Sequence, residues 1–137
     1  MKHLYILRGP SGCGKSTLAG MLGTTLSNMV ICSANDFFET FGEYHFDKEK
    51  LHEAHKFCKQ ICETSMSTGV EHIVIDNTNM KVWEYMPYVQ LAEEHGYSYS
   101  VIVVGRPWNP AELAKRSKHG MTEDQIRLQI SRFAHFV

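Results

Sequence analysis

Short apolar runs alternate along this chain with longer segments of helical periodicity. The apolar runs fall at about residues 3–8, 30–32, 72–75 and 100–104. The segments in which apolar side chains recur every three or four residues fall at about 15–27, 48–68 and 81–95. The runs suit buried β-strands and the longer segments suit amphipathic helices. Because strands that alternate with helices favour a parallel sheet covered on both faces, the pattern predicts a three-layer α/β fold.

Each helical segment has a predicted buried stripe. These stripes are Leu18, Leu22, Thr25 and Leu26 in the first segment, Leu51, Ala54, Cys58, Ile61 and Cys62 in the second, and Val82, Met86, Val89 and Ala92 in the third. Gly69 and Gly96 follow the second and third segments, where a glycine commonly ends a helix.

Two further helices are predicted after the last strand. Asn109-Pro110-Ala111-Glu112 and Thr122-Glu123-Asp124-Gln125 both have the side chains of a helix start, and Ile126, Ile130 and Phe133 form the expected buried face of the final helix. The turn between them, Lys118-His119-Gly120, is basic, and residues 100–137 carry six basic against three acidic side chains. We interpret about 106–122 as a lid over bound phosphates, with a solvated helical pair as the alternative.

The stretch between the first strand and the first helix fits the phosphate-loop (Walker A) pattern G-x-x-x-x-G-K-[ST] at every fixed position. It reads Gly9, Pro10, Ser11, Gly12, Cys13, Gly14, Lys15 and Ser16. Glycines let backbone N–H groups approach phosphate oxygens, and the positive end of the following helix faces the same anion. We expect Lys15 to reach the β- and γ-phosphates of ATP and Ser16 to bind Mg²⁺. Thr17 either contacts the α-phosphate or is an ordinary first-turn residue.

Polar residues follow two other predicted strands immediately. Ser33-Ala34-Asn35-Asp36 comes after the second strand and Asp76-Asn77-Thr78-Asn79 after the third, at the sheet edge where open α/β folds bind ligands. An aspartate in the position of Asp76 matches a Walker B carboxylate beside Mg²⁺, and a helix-capping aspartate is the alternative. The aromatic stretch that contains Phe37, Phe38, Phe41, Tyr44 and Phe46 around Gly42 could stack on a base or fix a long loop to the core.

Size and composition narrow the possibilities. A chain of 137 residues suits a single domain, 1–137, and 14 basic against 15 acidic residues give no overall field that would attract nucleic acid or a membrane. The four cysteines form no C-x-x-C pair, and no apolar stretch has the length of a signal peptide or membrane span. We therefore expect a cytoplasmic protein with reduced thiols and no membrane partner, which binds any polyanion locally.

Taken in order, the phosphate loop, Ser33 to Asp36, Ile75 to Asn79 and Glu112-Leu113-Ala114-Lys115-Arg116 resemble the polynucleotide 5′-hydroxyl kinase-like branch of the P-loop kinases. The resemblance covers about residues 3–133. It implies four parallel strands in the order 2-3-1-4, flanked by helices and followed by a small C-terminal helical lid. It also implies transfer of the γ-phosphate of ATP to a hydroxyl.

Three positions differ from that branch. Asn35 stands where those kinases have a catalytic aspartate, with Asp36 directly behind it, and Phe38 replaces an arginine that grips the acceptor strand. Asn77, and not an aspartate, directly precedes Thr78. The resemblance as a whole still makes an ATP/Mg²⁺-dependent kinase acting on a single-stranded nucleic acid 5′ end the leading hypothesis. A small hydroxyl substrate is the other possible acceptor.

In this hypothesis Lys15 and the loop amides hold the phosphates, Asp36 handles the acceptor and Arg116 stabilises the transferring phosphoryl group. A nucleoside or small-metabolite kinase is the second interpretation. A nucleotide-binding module with impaired catalysis, indicated by Asn35, is the third. The sequence does not identify a protein partner.

Overall fold

A computed structural model describes residues 1–40 and 43–134 of the chain. Its main sheet contains β1 (His3–Arg8), β2 (Met29–Cys32), β5 (His72–Asp76) and β6 (Ser98–Val103), paired in parallel in the order β2-β5-β1-β6. Numbered among themselves, these four strands have the expected order 2-3-1-4. A separate antiparallel pair, β3 (Glu39–Thr40) and β4 (Glu43–Tyr44), lies between β2 and the next helix. Phe41 and Gly42, part of the predicted aromatic stretch, lie outside the described residues.

The α-helices are α1 (Lys15–Thr25), α2 (Leu51–Ser67), α3 (Val82–His95), α4 (Pro110–Arg116) and α5 (Glu123–Ser131). Helix α2 begins later than predicted because Lys48–Lys50 forms a separate 3₁₀ turn, capped by the Asp47 side chain. Strand β6 begins earlier than predicted because Ser98 is already paired with His3. The two predicted helix starts after β6 are confirmed, since Asn109 and Thr122 each accept a backbone hydrogen bond as N-caps.

The helices cover the two faces of the sheet unequally. Strand residues such as Leu4 and Ile75 pack against α2 and α3, while Leu7 and Val74 pack against Ala19 of α1. The predicted stripe of α2 is confirmed at Ala54, Cys58 and Cys62, which are buried. Leu51 is 40% exposed, contrary to prediction, and the stripe instead continues to Met66. Thr25 is exposed, also contrary to prediction, and its hydroxyl instead donates to the carbonyl of Met21 within α1.

A third apolar cluster joins the C-terminal helices to the phosphate loop. Cys13 of the loop packs with Leu113 of α4 and Ile126 of α5, all three of them buried. The helical pair is therefore fixed against the loop by side-chain packing, which brings the turn after α4 over the carboxyl end of the sheet. Across residues 1–40 and 43–134, no helix is both long enough and apolar enough to span a membrane.

Candidate active site

A cavity of about 220 Å³ lies at the carboxyl end of the main sheet. Its walls come from the phosphate loop, the turn after β2, the turn after β5 and the turn after α4. The lining residues are Ser11, Gly12, Gly14, Lys15, Ser16, Thr17, Asn35, Asp76, Asn77, Thr78, Arg116, Ser117, Lys118 and His119. The structure thus brings most of the predicted site residues to one cavity. The predicted residues that do not line it are Gly9, Pro10, Cys13 and Asp36.

Two glycines give the phosphate loop its shape. Gly14 has φ 107° and directly precedes α1, so the first N–H groups of that helix point toward the loop. Gly12 has φ 83°, and a Cβ atom on it would come within 2.5 Å of the carbonyl oxygen of Leu113 in α4. A side chain at either position would be strained, and at Gly12 it would also push α4 away from the loop.

The Lys15 side chain is buried at the base of the cavity. Its ammonium donates to the carbonyl oxygens of Gly9, at 2.7 Å, and Pro10, at 3.0 Å. Burial lowers the pKa of Lys15, and the nearby Cys13 and Asp76 only partly oppose this. Because the ammonium is desolvated, the negative charge of a triphosphate in the cavity would interact with it strongly.

Ser16 and Asp76 meet across the cavity floor. The Ser16 hydroxyl donates to Oδ2 of Asp76 at 2.9 Å, joining the first turn of α1 to the end of β5. Asp76 is only 9% exposed. A hydroxyl and a carboxylate are hard oxygen ligands of the kind that Mg²⁺ prefers, so the pair fits this metal.

The turn after β2 presents Asn35 to the cavity. Ser33 caps the 3₁₀ helix Ala34–Phe38, and the Asn77 side chain accepts a hydrogen bond from the Ala34 amide at 2.9 Å. Buried Asn77 therefore ties this turn to the end of β5, a role that its position before Thr78 did not reveal. Asn35 is itself exposed, and its Oδ1 accepts a hydrogen bond from the Tyr44 hydroxyl at 3.3 Å.

Asp36 belongs to the same 3₁₀ helix, directly after Asn35, and is exposed. Partial burial of its carboxyl group raises its pKa, and the carboxylates of Glu39 and Asp76 raise it further. A raised pKa makes a carboxylate a better proton acceptor near neutral pH. Asp36 would have to turn toward the cavity, however, before it could contact a substrate there.

The turn after α4 closes the opposite wall. Arg116 is the last residue of α4, and Lys118 and His119 follow it along the cavity. The His119 ring stacks on Tyr44, with 3.8 Å between ring centroids and 22° between ring planes. The contact joins the C-terminal basic turn to the segment that follows β2.

Sequence patterns missed one support of the phosphate loop. Gln129 of α5 accepts a hydrogen bond from the Ser11 amide at 2.9 Å and donates to the Ser11 hydroxyl at 3.1 Å. A single glutamine on an amphipathic helix carries no signal of such a contact. Together with the packing of Cys13, this bidentate pair holds the tip of the loop.

Buried Arg8 was likewise missed, although a charge that ends an apolar strand was a visible signal. Its guanidinium donates to the carbonyl oxygens of Asn79, at 2.7 Å, and Met80, at 2.8 Å. Asn79, at φ 48°, donates in turn to the carbonyl oxygen of Leu7 at 2.8 Å. These bonds fix the turn that follows Asp76.

Comparison with known proteins identifies the family. A family model described as an AAA domain matches residues 4–136. The chain belongs to this family. It is a nucleotide-binding domain of the P-loop kinase-like type.

Three relatives of this AAA domain illustrate its range. Human NEDD4-binding protein 2 is 36% identical over 136 residues, which are 98% of this chain but only 8% of that protein. A structure of the Pnkp1/Rnl/Hen1 RNA repair complex matches with a TM-score of 0.74 and 23% identity, covering 96% of this chain and 43% of that one. A fungal RNA kinase matches with a TM-score of 0.57 and 16% identity, covering 97% of this chain and 33% of that one. At these identities the two structures establish the fold.

Proposed function

We propose that this AAA domain is an ATP/Mg²⁺-dependent kinase that transfers the γ-phosphate to a hydroxyl, with a polynucleotide 5′-hydroxyl as the favoured acceptor. The observation that carries the proposal is one cavity lined both by the phosphate-loop residues Ser11, Gly12 and Gly14 to Ser16 and by Asn35, Arg116 and Lys118. A site that only binds nucleotide needs the loop. A site that transfers phosphate also needs groups that face the acceptor and the transferring phosphoryl group.

The donor half of the cavity would hold ATP. Lys15 and the amides of residues 9–16 would bind the β- and γ-phosphates, and Thr17 would lie beside the α-phosphate. Ser16 and Asp76 would hold Mg²⁺, which when bound offsets negative charge on the phosphates. The Lys15 ammonium supports this assignment, because it is desolvated and lines the cavity.

In the transfer step, the acceptor hydroxyl oxygen forms a bond to the γ-phosphorus while the bond from that phosphorus to the β–γ bridging oxygen breaks. ADP leaves with the electron pair of the broken bond, and the hydroxyl proton passes to a carboxylate. We assign Asp36 as that carboxylate, Asn35 as the group that orients the hydroxyl, and Arg116 as the group that stabilises charge on the phosphoryl oxygens. The raised pKa of Asp36 supports its assignment as proton acceptor.

Local features support a nucleic-acid acceptor. The chain has a net charge of −1, so a polynucleotide would depend on cations at the site, and Arg116 and Lys118 both line the cavity. Aromatic rings lie beside these cations, a combination that single-strand binding sites use. The names of two structural relatives, an RNA repair complex and an RNA kinase, point the same way.

Asn35 supports a second candidate, a nucleotide-binding module with impaired catalysis. The amide of Asn35 lines the cavity but cannot accept a proton near neutral pH, whereas Asp36 is not among the lining residues. If Asp36 does not reach the acceptor, ATP would bind without efficient transfer. A nucleoside or small-metabolite kinase is the third candidate, because the cavity alone does not choose between large and small hydroxyl substrates.

Incubation with γ-labelled ATP and Mg²⁺ tests these candidates together. The acceptors are 5′-hydroxyl oligonucleotides of RNA and DNA, 5′-phosphorylated oligonucleotides as the matched control, nucleosides and sugars. We expect label on the 5′-hydroxyl oligonucleotides and none on the phosphorylated ones. Label on small acceptors alone would favour the metabolite kinase, and tight ATP binding without transfer to any acceptor would favour the binding module.

Two general assignments accompany this function. We propose that residues 1–137 form one domain in which about 106–122 acts as the lid, supported by the packing of Leu113 and Ile126 on the loop residue Cys13. We also propose a cytoplasmic location. Four free and buried cysteines support it, because they fit a reducing compartment.

A further inference from the structure

Three rings form a near-parallel series that begins at His119 in the cavity wall. The His119 and Tyr44 rings lie 3.8 Å apart with 22° between planes, and the Tyr44 and Phe46 rings lie 6.4 Å apart with 11° between planes. His119 is exposed and lines the cavity, and Phe46 is 53% exposed. We call His119, Tyr44 and Phe46 the ring series.

The outer rings of this series remain solvent-accessible, unlike the aromatic side chain beneath it. Phe38, only 4% exposed, packs edge-on against both Tyr44 and Phe46 and anchors them to the core. Anchoring the loop therefore accounts for Phe38. It does not explain why the imidazole of His119 stacks on Tyr44 in the wall of the cavity.

We propose that the ring series is a stacking site for the terminal nucleobase of the phosphate acceptor, with His119 as the contacting ring. This inference rests on the proposed kinase function and assigns the acceptor a base: a nucleic-acid end rather than a sugar or other small hydroxyl compound. A base at van der Waals spacing on His119 would continue the series into the cavity. Stacking requires only a π-face, so the site would tolerate any base.

The surroundings of His119 suit the rest of a nucleotide. Arg116 and Lys118 flank the same cavity wall and could pair with backbone phosphates of the acceptor strand. The turn after β2, residues 33–38, has no basic side chain, so the basic turn after α4 would supply these contacts from the C-terminal side.

The connection to Asn35 places the stacked base on the acceptor side. The Tyr44 hydroxyl donates to Oδ1 of Asn35, the residue assigned to orient the acceptor hydroxyl. Lys15 and Ser16, assigned to the donor phosphates, make their hydrogen bonds to Gly9, Pro10 and Asp76 instead. A base held on His119 would therefore bring its sugar hydroxyl toward Asn35.

A fluorescent oligonucleotide tests the stacking directly. A short single strand with 2-aminopurine at its 5′-hydroxyl end is titrated with the full chain in the presence of Mg²⁺ and a non-hydrolysable ATP analogue. Stacking on an aromatic ring should quench the fluorescence. We expect quenching with the wild-type chain, loss of quenching and about tenfold weaker binding with His119→Ala, and retention of both with His119→Phe.

His52→Ala is the matched control, because His52 is an exposed histidine on α2 outside the cavity lining. In steady-state transfer, His119→Ala should raise KM for the oligonucleotide about tenfold and leave KM for ATP unchanged. His119→Phe should restore the wild-type KM. Because a phenyl ring would also stack on Tyr44, the quenching of 2-aminopurine, and not this rescue, separates base stacking from a merely structural role of the ring. His119 is exposed in a turn, so its replacement should not prevent folding.

The possible outcomes separate this inference from the kinase proposal. Quenching that depends on His119 in a chain that fails to transfer phosphate would support the stacking site and contradict the kinase. Phosphate transfer to oligonucleotides without quenching, or with unchanged KM in His119→Ala, would support the kinase and overturn the stacking site. If His119→Ala weakens the binding of ATP and not of the oligonucleotide, the ring belongs to the base of the donor nucleotide, and the stacking site is overturned. A wild-type chain that does not bind the oligonucleotide would also overturn the stacking site.

Discussion

The two halves of the cavity are held in different ways. On the proposed donor side, Lys15, Ser16 and Asp76 are tied to backbone or to each other by hydrogen bonds of 2.7 to 3.0 Å. On the proposed acceptor side, Asn35 and His119 are exposed and are joined through the Tyr44 ring and a longer hydrogen bond of 3.3 Å. The donor half is preorganised, whereas the acceptor half can adjust.

This difference is what a kinase-like scaffold requires. A triphosphate presents the same charges in every cycle, so fixed donors bind it without reorganisation. Acceptors differ in size and base, and exposed side chains on turns can accommodate them. Damage to the donor half should therefore reduce ATP binding and transfer together, while changes in the acceptor half should alter transfer more selectively.

Lys15→Met should have the largest effect. The substitution keeps the buried aliphatic stem but removes charge-assisted hydrogen bonds worth about 1.5 to 3 kcal/mol each, so ATP affinity should fall by on the order of 10² to 10⁴. Calorimetric titration with ATP and Mg²⁺ measures it, with Lys59→Met on the exposed face of α2 as the control. Unchanged affinity in Lys15→Met would exclude residues 9–16 as the triphosphate site.

Arg116→Ala tests whether the lid turn acts on the reaction or only on binding. If Arg116 stabilises phosphoryl charge, kcat should fall by on the order of 10³ while KM for ATP changes little. Arg116→Lys should restore little activity, because an ammonium lacks the planar bidentate fork. The control is Arg127→Ala, whose side chain pairs with Glu123 on α5. Full rescue by lysine, or an effect on KM alone, would mean that Arg116 only binds phosphate and does not stabilise the transition state.

Asn35→Asp and Asp36→Asn, assayed side by side, locate the base in the acceptor half. If Asp36 is the base, Asp36→Asn should lower transfer about 10²-fold and Asn35→Asp should add little. A rise of 10²-fold or more in Asn35→Asp would instead identify a chain with a disabled base. If neither substitution alters transfer, Asp76 becomes the carboxylate to test.

Asp36→Asn also carries a stability prediction with a defined sign. The pKa of Asp36 is raised on folding, so the folded state binds its proton more tightly and loses stability as pH rises above the ordinary value of 3.8. Removing the charge should therefore leave the Tm at pH 7 unchanged or slightly higher, and remove part of its decline between acid and neutral pH. A clear fall in Tm measured at pH 7 would show that the carboxylate is stabilising.

Gln129→Ala should have the smallest effect on the donor half. Loss of its two hydrogen bonds to Ser11, at about 1 kcal/mol for each bond, should loosen the loop tip and weaken ATP binding by about 30-fold at most. Titration of ATP measures the change, and Gln90→Ala on the exposed side of α3 is the control. Equal affinities in the two variants would mean that packing of Cys13 alone holds the loop.

The donor half was largely predictable because its residues are consecutive. Gly9 to Ser16 fix their own turn, and the apolar runs on either side predict the strand and helix that position it. Strand order also followed from the family resemblance. The buried stripes were less exact: Leu51 and Thr25 lie at helix ends, where spacing alone does not show how far the sheet extends.

The acceptor half was less predictable because its contacts join distant segments. The Tyr44–His119 stack spans 75 positions. In the donor half, the contact that the sequence patterns missed also joins distant segments, because Ser11 and Gln129 are 118 positions apart. Neither glutamine nor histidine at these positions belongs to a repeating pattern. Periodicity shows which face of an element is buried, but not which turns meet above the sheet.

We expect ATP and the acceptor to bind to separate parts of the cavity. Calorimetry is the most direct test of this separation, with ATP and Mg²⁺ in one titration and a 5′-hydroxyl oligonucleotide in another, each into Lys15→Met and into His119→Ala. We predict that Lys15→Met loses ATP and retains the oligonucleotide, while His119→Ala binds the oligonucleotide about tenfold more weakly and retains ATP. If either variant loses both ligands to the same extent while its Tm stays at the wild-type value, the cavity does not have separate donor and acceptor halves.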